Sequence, residues 1–156
     1  MRDAMDIAEY VLWYCENKLK NPITNLQLQK FLYYIQGANL AVNGESMFDN
    51  LIEAWKYGPV VPDVYYWYNE NLSNAIRGVE IGKENTLSRE EEIIINAVVE
   101  LLISVNPWDV VKETHKEKPW KETYSSNFNE EIPVEMIREY FINNGEEIWN
   151  KFRKAS

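Results

Sequence analysis

With 156 residues, 46% of them hydrophobic and 26% charged, the chain has the bulk for one buried core and a globular composition, and no apolar run approaches a membrane span. Asp and Glu outnumber Lys and Arg by 25 to 16; the formal net charge of -9 repels phosphate backbones, disfavours direct nucleic-acid binding and favours a basic protein partner. One cysteine, Cys15, and one histidine, His115, exclude an internal disulfide and the usual four-ligand Cys/His zinc site, while MRDAMDIAEY lacks the apolar core of an export signal, so the expected compartment is the cytoplasm.

Ala4, Ile7, Ala8, Val11, Leu12, Cys15 and Leu19 recur at steps of three and four, the stripe of an amphipathic helix over residues 4–19. A second helix is specified from Asn25. Thr24 and Gln27 have the spacing of a capping box, Ile23 and Leu28 that of a hydrophobic staple, and Leu28, Phe31, Leu32, Ile35, Ala38 and Val42 form an inward stripe up to Asn43-Gly44. The segment ESMFDNLIEAWKY reads as a small hairpin or an extended arm. Gly58-Pro59 is expected to turn that arm into a helix with Pro62 in its first turn and an end near Leu72. Residues 73–87 read as loop with a short strand at 79–81.

Ser88 and Glu91 repeat the capping-box spacing ahead of Ile94, Ala97, Val98, Leu101 and Leu102, a strongly apolar helix expected to be central. Asn106-Pro107-Trp108-Asp109 opens a short helix ending near Thr114-His115, and Lys118-Pro119-Trp120 starts one more turn. A polar loop over 125–131 leads to two closing helices, one over 133–142 and one over 145–154 capped by Asn144 with Glu147 three residues later. The expected fold is mostly α: a compact single-domain helical bundle over residues 1–156 with a small β-hairpin or extended arm.

Cys15 and His115 are the thiol and imidazole that a nucleophile–base pair would need. Cys15 sits on a core stripe, where a thiol behaves as a small hydrophobe. His115 sits at a helix end five residues before Trp120, a place for a structural or interface role. Glu90, Glu91 and Glu92 suit a helix start and Glu130-Glu131 a solvated loop. No GxGxxG, Walker A, GxSxG or HExxH pattern occurs, so no catalytic residue, cofactor or metal is expected. The rings of Trp55, Tyr57, Tyr65, Tyr66, Trp67 and Tyr68 could stack nucleic-acid bases, but that needs a positive groove, and only Lys56 stands nearby, beside Glu53, Asp63 and Glu70. Core packing and a protein interface are the readings left, and consecutive rings cannot all be buried on one side of a helix.

Taken together, LQLQKFLYYIQG, MFDNLIEAWKYGPVVPDVYYWY and THKEKPW resemble the Panacea domain, found in SocA-like and phage-associated proteins. The resemblance runs from the first helix to about Trp120. Its most specific parts are Leu28-Gln29-Lys30-Phe31-Leu32-Tyr33, Glu53-Ala54-Trp55-x-Tyr57-Gly58-Pro59-Val60, and Thr114-His115 followed five residues on by Trp120, with Thr114 where serine is expected. It implies a non-enzymatic antitoxin of a toxin–antitoxin system, often on prophages, which neutralises by direct binding a cognate protein toxin encoded by the adjacent gene. The alternative it implies is a SocA-like adaptor that delivers its toxin to a ClpXP-type protease. Gln29, Lys30, Glu53, Trp55, Tyr57, Gly58, Pro59, His115 and Trp120, with the ring of Trp67, are the candidate family-motif and partner-binding positions. Many members carry a fused helix-turn-helix; this chain leaves no room for one, so autoregulation through its own DNA binding is not expected.

Overall fold

In a computed structural model that describes residues 2–156, the chain folds around one helix buried on every side. That helix, α2 (Asn25–Asn43), starts on a complete capping box: Thr24 accepts from the Gln27 N–H while the Gln27 side chain accepts from the Thr24 N–H. It stops at Gly44, whose φ of 76° supplies the left-handed C-terminal conformation. Around it pack α1 (Ala4–Asn17), α3 (Pro62–Trp67), α4 (Arg89–Leu102), α5 (Pro107–Lys116) and α7 (Val134–Ala155). A one-turn α6 (Lys118–Lys121) links α5 to α7's side of the bundle. A small antiparallel sheet has the order β2-β1-β3, from β1 (Glu53–Trp55), β2 (Gly58–Val60) and β3 (Glu130–Glu131).

A helix buried all round is ordinarily apolar, yet α2 carries Asn25, Gln29, Lys30, Gln36 and Asn39 in the interior. Each bonds a backbone group of a neighbouring segment. Gln36 donates to the Phe48 carbonyl at 2.9 Å and accepts from the Met47 N–H at 2.8 Å, and Asn39 donates to the Glu45 carbonyl at 2.8 Å. Loop amides and carbonyls buried without sheet partners need such bonds, and α2 supplies them from its own side chains. The arm predicted between α2 and α3 is thus a buried clamp followed by a true hairpin. Arg2, bridged to Phe48 and ion-paired with Glu91 at 2.7 Å, ties the start of the chain to the same arm.

Several local expectations are corrected. Gly58-Pro59 does not turn an arm into a helix. Both residues lie in β2, the hairpin turns at Lys56 and Tyr57, and α3 begins at Pro62. It ends at Trp67, followed by a 3-10 turn at Asn69–Asn71, and no strand forms at 79–81. Val42, in the last turn of α2, and Ala97, both predicted inward, are exposed; on α4 the buried face is formed by Ile95, Val98, Val99 and Leu102. The polar loop contributes β3, whose Glu130 and Glu131 pair with Ala54 and Glu53.

The two predicted closing helices are one. Asn144 does not cap; its amide donates to the Tyr140 carbonyl one turn back, and Gly145 continues the helix on its buried side. A Cβ at Gly145 would meet nothing closer than Trp149 Nε1 at 3.5 Å. Gly145→Ala is therefore expected to stabilise the fold by about 0.5–1 kcal/mol through helix propensity, read as a higher urea midpoint at constant slope. No single helix is long and apolar enough to cross a membrane.

Candidate functional site

At its N-terminal half α2 meets the hairpin and α5, and the motif residues of three separate segments come together there. Gln29 accepts from the Val61 N–H at 2.9 Å and donates to Asn25 at 2.9 Å, and Asn25 donates to the Tyr65 carbonyl at 3.0 Å. This relay fixes the start of α3 against α2. One residue on, Lys30 is fully buried and its Nζ donates to the Pro59 carbonyl at 2.8 Å. No acid pairs with it among the described residues, and burial pushes its ammonium down to about 7.

Gly58 closes the hairpin turn at a φ of 113°, a conformation open mainly to glycine. It also allows close approach, since a Cβ there would lie 2.7 Å from Lys30 Cε and 2.8 Å from Thr114 Oγ1. The Thr114 hydroxyl donates to the Val111 carbonyl at 2.7 Å, a bond that serine in its place would also make.

Trp120 locks the other side of the corner. Its indole N–H donates to the Trp55 carbonyl at 2.7 Å, and its ring stacks on His115 at 4.0 Å and on Tyr124 at 4.5 Å. Burial pushes the His115 imidazole below its ordinary value, with the Lys56 backbone opposing and the Lys30 charge adding to the shift. The Trp55 indole donates to Glu53 at 2.8 Å, and its ring meets Tyr65 edge-on at 5.0 Å. Gln29, Lys30, Gly58 and Pro59 are thus buried in the joint, Glu53, Trp55, His115 and Trp120 are half-buried, and Tyr57 and Trp67 face solvent.

Outside the joint lies a groove of about 330 Å³ between the first turns of α2, the hairpin tip and the start of α5, walled by Trp55, Tyr57, Tyr65 and Trp108. Tyr57 and Trp108 meet edge-on at 5.5 Å across it. Cys15 lies elsewhere, in the core under α1, where desolvation pushes its thiol up to about 12. No group of three or more His, Cys, Asp or Glu side chains is arranged to hold a metal ion among the described residues.

The polar centre that sequence reasoning missed lies one turn further along α2. Glu117, between α5 and α6, is fully buried, and its two carboxylate oxygens accept from the hydroxyls of Tyr33 at 2.8 Å and Tyr34 at 2.7 Å. Burial pushes this acid up to about 8, against the two phenol donors. The signal was present: adjacent tyrosines inside an apolar helical stripe need a buried acceptor for their hydroxyls.

Residues 28–121, from the first turn of α2 through α6, match the family described as antitoxin SocA-like, Panacea domain. The match covers more than half of the chain and includes all the motif residues of the corner, so the chain belongs to this family. It is similar to antitoxin SocA of Caulobacter vibrioides, with 46% identity over 63 residues, 40% of this chain and 34% of that protein. The similarity therefore spans about a third of the length of the curated relative. No solved structure matches the chain.

Proposed function

We propose that this chain is an antitoxin that neutralises a cognate protein toxin, encoded by an adjacent gene, by binding and masking it in the cytoplasm, with residues 1–156 acting as one domain. The observation that carries this reading is the belt of exposed rings beside the family-matched corner. Trp67 is 70% exposed, Tyr66 62% and Leu72 77%, with Tyr57 and Trp108 half-exposed next to them. Large apolar side chains gathered on one face of an acidic protein suit a protein interface, where aromatic anchors dominate the binding energy.

A non-enzymatic role is supported by the state of the residues that chemistry would use. Cys15 is enclosed as an un-ionised thiol, and His115 is held in a ring stack. The motif residues Gln29, Lys30, Gly58, Pro59 and Trp120 build the corner, and the exposure of Tyr57 and Trp67 supports reading these two as the partner-contacting candidates.

Co-expression with the adjacent gene's product tests the proposal: the chain restores growth and co-purifies with that product. The double substitution Tyr66→Ala, Trp67→Ala leaves the melting temperature unchanged, because both rings are exposed, and weakens binding by at least about 30-fold, as for two interface anchors. Masking lengthens the toxin's lifetime. A toxin that instead disappears faster with the chain and a ClpXP-type protease present identifies an adaptor.

A further inference from the structure

The exposed aromatic face carries acids that the fold leaves without cations. In the antiparallel register of β1 and β3, Glu53 lies directly opposite Glu131, so two carboxylates stand side by side on one face of the sheet. Like charges at such a pair of positions repel, and an opposite charge across the strands would stabilise. Among the described residues neither acid has an ion-pair partner: the pairs formed are Arg2 with Glu91, Arg138 with Glu135, and Lys151 with Glu113 and Glu147. Asp63 and Glu70, exposed on α3 and just after it, are equally unpaired, and no Lys, Arg or His occurs between Lys56 and Arg77. Lys56 itself stands at the hairpin tip, with its Nζ 5.4 Å from the centre of the Tyr57 ring.

Trp55 follows Glu53 by two residues along β1 and so shares its face of the sheet. The indole N–H donates to Glu53 Oε1 at 2.8 Å, which holds that carboxylate at the edge of the ring and leaves Oε2 without a donor among the described residues. The Trp55 ring in turn meets Tyr65 at 5.0 Å and Tyr66 at 5.8 Å, and the two tyrosine rings meet each other at 5.5 Å. Aromatic rings edged by a repelling pair of carboxylates select a planar cation. A guanidinium stacks on a ring by its plane and donates to carboxylates from its edge. An ammonium presents only a point charge, a neutral side chain leaves the repulsion of Glu53 and Glu131 in place, and a phosphate adds to it.

We propose that this face receives an arginine of the partner protein, flanked by apolar residues: its guanidinium lies against Trp55 and Tyr66 and bonds Glu53 and Glu131, while its neighbours pack on the exposed rings of Tyr66 and Trp67. The inference rests on the reading that the aromatic belt meets a protein, and it names the residue that anchors there. The net charge of -9 draws any basic segment toward the chain; the unpaired carboxylates beside the rings decide where it docks.

The test uses the full chain and two probe peptides, acetyl-Leu-Arg-Leu-amide and its counterpart with citrulline, which keeps the shape of arginine without the charge. Wild type binds the arginine peptide about 10-fold more tightly, read by titration of the Trp55 indole N–H resonance. Glu53→Gln with Glu131→Gln keeps an oxygen for the Trp55 indole and abolishes the preference. Glu84→Gln with Glu146→Gln, two exposed acids elsewhere, makes the same change in net charge and retains it. Glu131→Lys supplies the missing cation from within the sheet, so it raises the urea midpoint and also abolishes the preference. Equal binding of the two peptides, equal losses from the two glutamine pairs, or an arginine preference that survives Glu131→Lys overturns the inference. Toxin neutralisation is scored separately: a chain that restores growth but shows no arginine preference removes this anchor and leaves the antitoxin reading standing.

Discussion

Gly58→Ala is expected to destabilise the fold by about 3 kcal/mol or more, the joint result of backbone strain at positive φ and overpacking. The φ of 113° is one cause; the other is the pair of atoms, Lys30 Cε at 2.7 Å and Thr114 Oγ1 at 2.8 Å, that a methyl group would strike. Both belong to side chains held by hydrogen bonds within the corner, so neither yields freely. The internal control is Gly44, at φ 76° with nothing within 4 Å of a Cβ, where alanine is expected to cost about 1 kcal/mol from the backbone alone. Urea unfolding of the two variants separates the terms. Equal losses would show that the hairpin does not press on α2 and α5 as described.

Stability is expected to pass through a minimum near pH 7–8, set by two buried groups of opposite charge type. Glu117 ionises at about 8 in the fold and at its ordinary value of 4.5 when unfolded. Between those values the native state holds a proton that the unfolded state has lost, so stability is full below 4.5 and falls as pH rises to about 8. Lys30 ionises at about 7 in the fold and 10.5 when unfolded, so the unfolded state holds the extra proton and stability rises as pH climbs from about 7 to 10.5. Each excursion has an upper size of roughly 5 kcal/mol.

Two substitutions divide this profile. Glu117→Gln removes the fall on the acid side and Lys30→Met the rise on the alkaline side, each read as the unfolding free energy against pH. Lys30→Met is also expected to be more stable than wild type at pH 7.5, because a side chain of similar length replaces an amine that has no carboxylate partner. A flat profile from pH 5 to 10 in wild type would contradict the burial of both groups.

The parts of the fold legible in the sequence are those with a local cause. Thr24 with Gln27 and Ser88 with Glu91 announce α2 and α4 to the residue, because a capping box is written within four positions. The parts not legible depend on distant partners. Asn144 before Gly145 has the spacing of a new helix start, but continuous packing of Phe141, Ile148 and Phe152 against α2 carries α7 through them. Glu117 beside Lys118 looks like a solvated linker until Tyr33 and Tyr34 arrive from 84 and 83 residues away.

The three motifs meet at one corner, but their spacing does not say what each residue does there. The inward stripe read on α2 did not include Gln29, Lys30 and Gln36, whereas a helix enclosed on every side turns each of them into a clamp on the backbone of a neighbouring segment. Exposure of Tyr66 and Trp67 followed from consecutive rings on a short helix; the edge-on pairing of Tyr57 with Trp108 across a groove did not, since it joins the hairpin tip to α5.

The central claim, masking of a protein toxin through the aromatic face without chemistry, is tested most directly by growth rescue with three forms of the chain against the adjacent gene's product. Wild type and His115→Gln should restore growth equally and co-purify with the toxin at fixed stoichiometry, while Tyr66→Ala, Trp67→Ala stays folded and fails. Rescue by the double variant at wild-type level, or loss of rescue in a folded His115→Gln chain, would contradict it.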